Sequence, residues 1–167
     1  MADIRIPVSP VHGMVNTLGD ATHRPLIQLL NPAGSLKDLY VFELRLGNTG
    51  TVNRVRIRRT NAPLTLAGTV TTATLFRRNE LDATAIVATL KGCTAVATQP
   101  PFNEVDSFWF EKISSDASPP YTALPLMQPL TFPLIIKQGS ALEFAGDDAN
   151  SAAIAIRLYA VWDEITH

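Results

Sequence analysis

The stretch LLNPAGSLKDLYVFELRL, Leu29 to Leu46, decides how the chain is read. Gly34-Ser35 with Lys37 close behind has some ingredients of a phosphate-binding loop. Such a loop needs a second glycine, then Lys followed by Ser or Thr, and a helix whose free N–H groups face the anion. Here there is one glycine, Lys37 is followed by Asp38, and the residues beyond have the period of a strand. Tyr40, Phe42, Leu44 and Leu46 alternate with Leu39, Val41, Glu43 and Arg45, which predicts the first set facing a core. Asn31-Pro32-Ala33-Gly34 is turn chemistry, because Pro presets φ and Gly supplies a positive φ. The stretch reads strand, turn, strand.

The same texture extends outward. PLIQLL precedes the turn, and Gly47 to Gly50 (GNTG) makes the next reversal. VNRVRIRRT then places Val55 and Ile57 inward and Arg54, Arg56 and Arg58 outward. Further strand candidates are ATLFRR, TAIVATL, SFWFEKI, FPLIIKQ, ALEF and AAIAIRLYAVW. In the last, Ile154, Ile156, Leu158, Ala160 and Trp162 share a face. β-branched residues dominate these runs and favour strands over helices. NELDATAIVATLKG (79–92) is the one segment whose sequence suits a helix as well as a strand. SSDASPPYTALPLMQP carries four prolines and reads as an irregular loop of the kind that often binds partners.

Short strands with turns every 8 to 12 residues predict an all-β antiparallel sandwich or barrel. Its core is expected to include Phe42, Leu44, Ile57, Ile135, Ile154, Ile156 and Trp162. Residues 1–24 contain Pro7, Pro10, Gly13 and Gly19 and few large apolar side chains. They read as an extended N-terminal arm, leaving 25–167 as a single sandwich domain. Ile4, Ile6 and Val8 are the arm's candidate contacts with a partner.

Composition narrows the function classes. The 167 residues are 46% hydrophobic but only 17% charged, below the roughly 25% of an average domain. A small domain with so few charges is expected to lie partly against another molecule. A formal net charge of −1 gives no global pull toward nucleic acid or an anionic membrane. No apolar run approaches the roughly 20 residues that span a bilayer. The start has no secretory signal pattern, so synthesis and folding in the cytosol are expected. Cys93 is the single cysteine, which excludes an internal disulfide and fits a small buried hydrophobe.

No motif for catalysis, metal or cofactor stands out. His12, His23 and His167 have no metal-ligand spacing, and Gly139-Ser140 lacks the flanks of a nucleophile elbow. Two features remain as candidate interfaces. Arg54, Arg56 and Arg58 put three like charges along one strand face, which calls for acidic neighbours, a partner or solvent screening. Phe108 and Phe110 share a face and leave Trp109 on the other, as an interface anchor or a sugar-stacking platform does, unless both faces of the strand are covered. Tyr121, in the Pro-rich loop, is the second aromatic of this kind.

LLNPAGSLKDLYVFELRL together with PLIIKQGSALEFAGDDANSAAIAIRLYAVWDE resembles a class of tailed-bacteriophage virion proteins. These are small jelly-roll sandwiches that decorate heads or serve in tails. The likeness lies in the Asn31 to Ser35 turn before a long strand, the hairpin from Pro133 to Gly139, and a final strand closing on Trp162 to Glu164. It covers the first and last thirds of the core and carries over no catalytic residue. The resemblance implies a non-enzymatic virion component, most simply a head decoration (cement) protein, trimeric and bridging subunits of the major capsid protein. A tail or neck component is the alternative within that class. A carbohydrate-binding module, with Trp109 or Tyr121 stacking on host surface glycans, is the alternative outside it.

Overall fold

The structure, a computed structural model, describes residues 11–18, 25–48, 52–61, 63–77, 82–98, 107–113, 134–146 and 155–166. Among the described residues the chain is all strand, with no helix. The strands are β1 (Val11–Leu18), β2 (Pro25–Leu30), β3 (Lys37–Asn48), β4 (Val52–Thr60), β5 (Thr65–Thr72) and β6 (Leu75–Arg77). They continue with β7 (Thr89–Thr98), β8 (Ser107–Ile113), β9 (Leu134–Ile136), β10 (Ala141–Gly146) and β11 (Ala155–Thr166). One sheet has the order β6-β1-β11-β3-β9, the other β5-β7-β2-β10-β4-β8, and every pairing is antiparallel. The sheets pack face to face. Val11, Leu39, Val41, Leu44, Leu158 and Trp162 from the first meet Ile27, Leu29, Ile57, Leu90, Leu142 and Phe144 from the second in one buried cluster.

Pairing runs inward from the two ends of the chain. β1 pairs β11, β2 pairs β10, β3 pairs β9 and β4 pairs β8. Strands β5, β6 and β7 fall between β4 and β8 in sequence. They add to one edge of the sandwich, β7 beside β2 and β6 beside β1.

The alternation in β3 is broken where the sequence suggests it is continuous. Val161 pairs with Glu43 and Trp162 with Val41, so Phe42 is an extra residue in its strand. An inserted residue exchanges the two faces beyond it. Leu39 and Val41 therefore face the core on one side of the bulge and Leu44 on the other, all fully buried, while Tyr40 and Phe42 are half-buried. The bulge satisfies two conflicting phases: it buries three aliphatic side chains and leaves Tyr40 half-buried and Arg45 exposed. Of the expected core, Leu44, Ile57 and Trp162 are fully buried. Ile135 is half-buried and its neighbour Ile136 takes the core position. Ile156 lies on β11, and Ile154 is outside the described residues.

Two other expectations need correction. Residues 11–18 were expected within an arm beside the domain; they form β1, flanked on both sides by β11 and β6, with Val11 in the core. The extended conformation was legible, but the ladder that completes it comes from Ala155–Trp162, far along the chain. A Cβ at Gly13 would collide with the end of the Leu75 side chain, so the small residue lets β6 pack closely over β1. Residues 1–10 and 19–24 of the expected arm lie outside the described set. In the segment read as helix or strand, Asp82–Ala88 is irregular and β7 begins at Thr89.

Candidate functional site

Asn31 joins two turns that are more than a hundred residues apart. Its backbone N–H donates to the Ser140 carbonyl at 3.0 Å, and its own carbonyl accepts from Gly139 N–H at 2.9 Å. Its side-chain Nδ2 donates to the carbonyls of Lys37 at 2.8 Å and Ile136 at 3.0 Å. Lys137 adds an ion pair with the buried Asp38 carboxylate, and that hydrogen bond and charge raise the lysine pKa. The β2–β3 turn and the β9–β10 turn thus form one unit at an end of the sandwich. Gly34 and Gly139 sit at φ 77° and 71°, as the turn reading requires.

Leu36 is the unexpected residue of this unit. It has φ 55°, the one positive value among the described non-glycine residues, and the residue is 67% exposed. A left-handed conformation costs an L-residue about 1–2 kcal/mol. The conformation is held by its neighbours: Ser35 Oγ donates to the Lys37 carbonyl at 3.1 Å and accepts from Lys37 N–H at 3.4 Å. A large apolar side chain is held out to solvent on a tied backbone.

Lys37, the residue after Leu36, reaches a buried carboxylate. Glu164 continues the inward row Leu158, Ala160, Trp162 on β11 and is fully buried at its side chain. It accepts from Val87 N–H and Ala88 N–H, each at 3.0 Å to Oε1. It also accepts from Lys37 Nζ at 3.2 Å and Arg77 Nη2 at 3.4 Å. Lys37 and Arg77 reach the Ala85 carbonyl as well, and Arg77 Nε donates to the Thr84 carbonyl at 2.8 Å. Glu164 therefore ties β3, β6 and residues 82–88 to the end of β11. Ala33, Gly34 and Leu36 of the β2–β3 turn, and Ala83, Thr84 and Ala85 of the segment before β7, are exposed.

Of the arginine stripe, Arg58 has an acidic neighbour, one of the alternatives the stripe called for. Arg58 is buried, and its Nη2 donates to Glu143 Oε2 at 3.0 Å while Thr60 Oγ1 donates to Glu143 Oε1 at 3.1 Å. Burial pushes the Glu143 carboxyl above the ordinary range, against the opposing pull of Arg58 and Thr60. Register aligns Lys91, Gln28, Glu143, Arg58 and Ser107 in a row across five strands of the six-stranded sheet. Gln28 is buried there too. Arg58 serves the interior of the chain rather than its surface. Register also brings two of the candidates together, Arg56 opposite Trp109, and sets Arg54 opposite Glu111. Ile4, Ile6, Val8 and Tyr121 lie outside the described residues.

Leu36 and Glu164 were not singled out by sequence reasoning. The periodic row ending Leu158-x-Ala160-x-Trp162-x-Glu164 was the available signal for the second, since a carboxylate in phase with a core face must find donors. Nothing local marks Leu36, because Gly34 next to it looks like the natural carrier of the positive φ. Among the described residues, no three His, Cys, Asp or Glu side chains are grouped as a metal site. Comparison of the chain with family models, with curated proteins and with solved structures finds no match.

Proposed function

We propose that the protein is a non-enzymatic structural component of a tailed-bacteriophage virion, acting as a head decoration protein that bridges subunits of the major capsid protein. The observation that carries this reading is the order of strand pairing. With β5–β7 set aside, the sheets reduce to β1-β11-β3-β9 and β2-β10-β4-β8. This order supports reading the eight strands as one long hairpin, β1–β4 against β8–β11, wound into two four-stranded sheets as in a jelly roll. The two sequence stretches that bear the resemblance are the ones joined through Asn31. They meet at the end that presents Leu36, and a strained, exposed apolar residue on a rigid base suits an anchor for another protein's pocket.

In this reading Leu36 enters an apolar pocket of the capsid shell, and the Asn31 and Glu164 ties keep its base from yielding on contact. Heads assembled with the wild-type chain, without it, and with Leu36→Asn test the proposal. Wild-type protein should co-purify with heads and raise the temperature at which they disrupt. Leu36→Asn protein should fold and yet be lost from them. Wild-type protein absent from purified heads overturns the reading, and its presence on tails alone assigns it to the tail or neck instead.

A further inference from the structure

Gly34 takes the left-handed conformation without steric cost, but Leu36, two residues later, takes it at a cost. A strained residue persists only where its surroundings hold it. Both neighbours of Leu36 are anchored. Before it, Ser35 N–H donates to the Pro32 carbonyl at 3.3 Å. After it, the Lys37 carbonyl accepts from Asn31 Nδ2 at 2.8 Å, and Lys37 Nζ reaches Glu164 and the Ala85 carbonyl. One side chain spans Leu36 itself. Ser35 Oγ accepts from Lys37 N–H at 3.4 Å and donates to the Lys37 carbonyl at 3.1 Å. The ring closed by the first of these bonds runs through the whole backbone of Leu36, so it closes only for certain Leu36 dihedrals. A single atom that donates and accepts at once is a hydroxyl oxygen; a carboxylate only accepts, and a methyl group does neither.

We propose that Ser35 is the positioning residue of the Leu36 contact. Its hydroxyl holds Leu36 left-handed; without it the leucine relaxes to negative φ and carries its side chain away from the place where a partner's pocket receives it. The part played in docking rests on the decoration reading, whereas the hold of Ser35 on Leu36 does not. The energetics give this role a signature. The net worth of two hydrogen bonds and the cost of a left-handed leucine are of similar size. Removing the hydroxyl therefore loses the bonds and releases the strain together. Stability should hardly change while the conformation does. A bond that served only to stabilise the fold would behave in the opposite way.

The wild type, Ser35→Thr, Ser35→Ala and Ser35→Asp test it as full-length chains. Each is measured by magnetic resonance for the distance between the amide and α protons of Leu36, which φ alone sets. The melting transition and retention on heads are measured beside it. Wild type and Ser35→Thr should share the short proton distance of a left-handed residue. Ser35→Ala and Ser35→Asp should show the longer distance of negative φ, with a melting transition close to that of the wild type. On heads, the last two should bind at least about tenfold more weakly and Ser35→Thr like the wild type. Absence of the wild type from heads removes the decoration reading, and the proton distance then decides the hold of Ser35 by itself. A short distance in Ser35→Ala overturns that hold, because the ties of Asn31 and Glu164 to Lys37 would then suffice. A long distance in Ser35→Ala with undiminished retention on heads overturns the positioning role.

Discussion

Strands β1–β4 and β8–β11 pair across nearly the whole chain and meet in a core of aliphatic side chains with Phe144 and Trp162. Of the inserted strands, β5 pairs with β7, β7 with β2 and β6 with β1, and they place few fully buried side chains in that core. Beside the apolar contacts of Leu90, Ala88, Ala73, Leu75 and Ile86, their attachment has a polar part: Arg77 and the N–H groups of Val87 and Ala88 converge on Glu164. Apolar burial is non-directional and tolerates small shifts, whereas a buried carboxylate is worth something only while its donors are in place. The wound part can therefore act as a rigid base, and the inserted part is the region whose attachment includes one shared buried acceptor.

The sharpest way to break that contrast is Glu164→Ala. It removes the shared acceptor of two cations and two N–H groups, and loss of one partner from a buried charge network costs about 3–5 kcal/mol. Denaturant midpoints should fall accordingly, and amides of 82–88 should lose exchange protection before those of β3 and β11. A loss below ~1 kcal/mol would mean that the inserted strands are held by their apolar contacts. Asn31→Ala probes the other side of the comparison. It leaves the buried Ile136 carbonyl and the Lys37 carbonyl without the Nδ2 donor, at about 1–3 kcal/mol. Here the loss should appear as global unfolding, because the wound strands open together.

Glu143 supplies a test by pH. Its carboxyl is raised, so the folded state holds its proton more tightly than the unfolded chain does. Stability from this group is therefore greatest below the ordinary carboxylate pKa and declines as pH rises toward the raised one, by at most about 1.4 kcal/mol per pH unit. In Glu143→Gln that decline should be missing from the stability profile. Identical profiles in the two proteins would show that Arg58 compensates the burial in full. The smallest expected effect has the opposite sign. Leu36→Asn relieves the left-handed strain and should raise stability by up to about 1 kcal/mol, because Asn tolerates that conformation. A variant more stable yet unable to dock would mark Leu36 as kept for contact rather than for folding.

Much of the fold was legible because local chemistry and final structure agree. The turn at Asn31–Gly34, the alternation of Leu158, Ala160 and Trp162, and the strand nature of β2, β4, β8, β10 and β11 follow from period and turn residues. β5 was missed, since its threonines and Gly68 give no apolar alternation for a strand exposed on both faces. β1 was placed outside the domain for a related reason: its small residues are sufficient only because β11 and β6 flank it. The arginine stripe was visible as a pattern, but its meaning depended on Glu143, 85 residues away from Arg58.

By itself the sequence determined the all-strand class, the reversal points and a low-charge chain with no recognisable catalytic motif, because each of these depends on neighbours within a few residues. Only the tertiary structure decided the bulge at Phe42, the joining of two distant turns through Asn31, and the burial of Arg58. The same holds for the convergence of donors on Glu164. Side-chain faces in a strand reverse with a single inserted residue, and a buried polar group takes whatever partner the pairing register brings to it. Both are set across the sheets, where spacing along the chain carries no information.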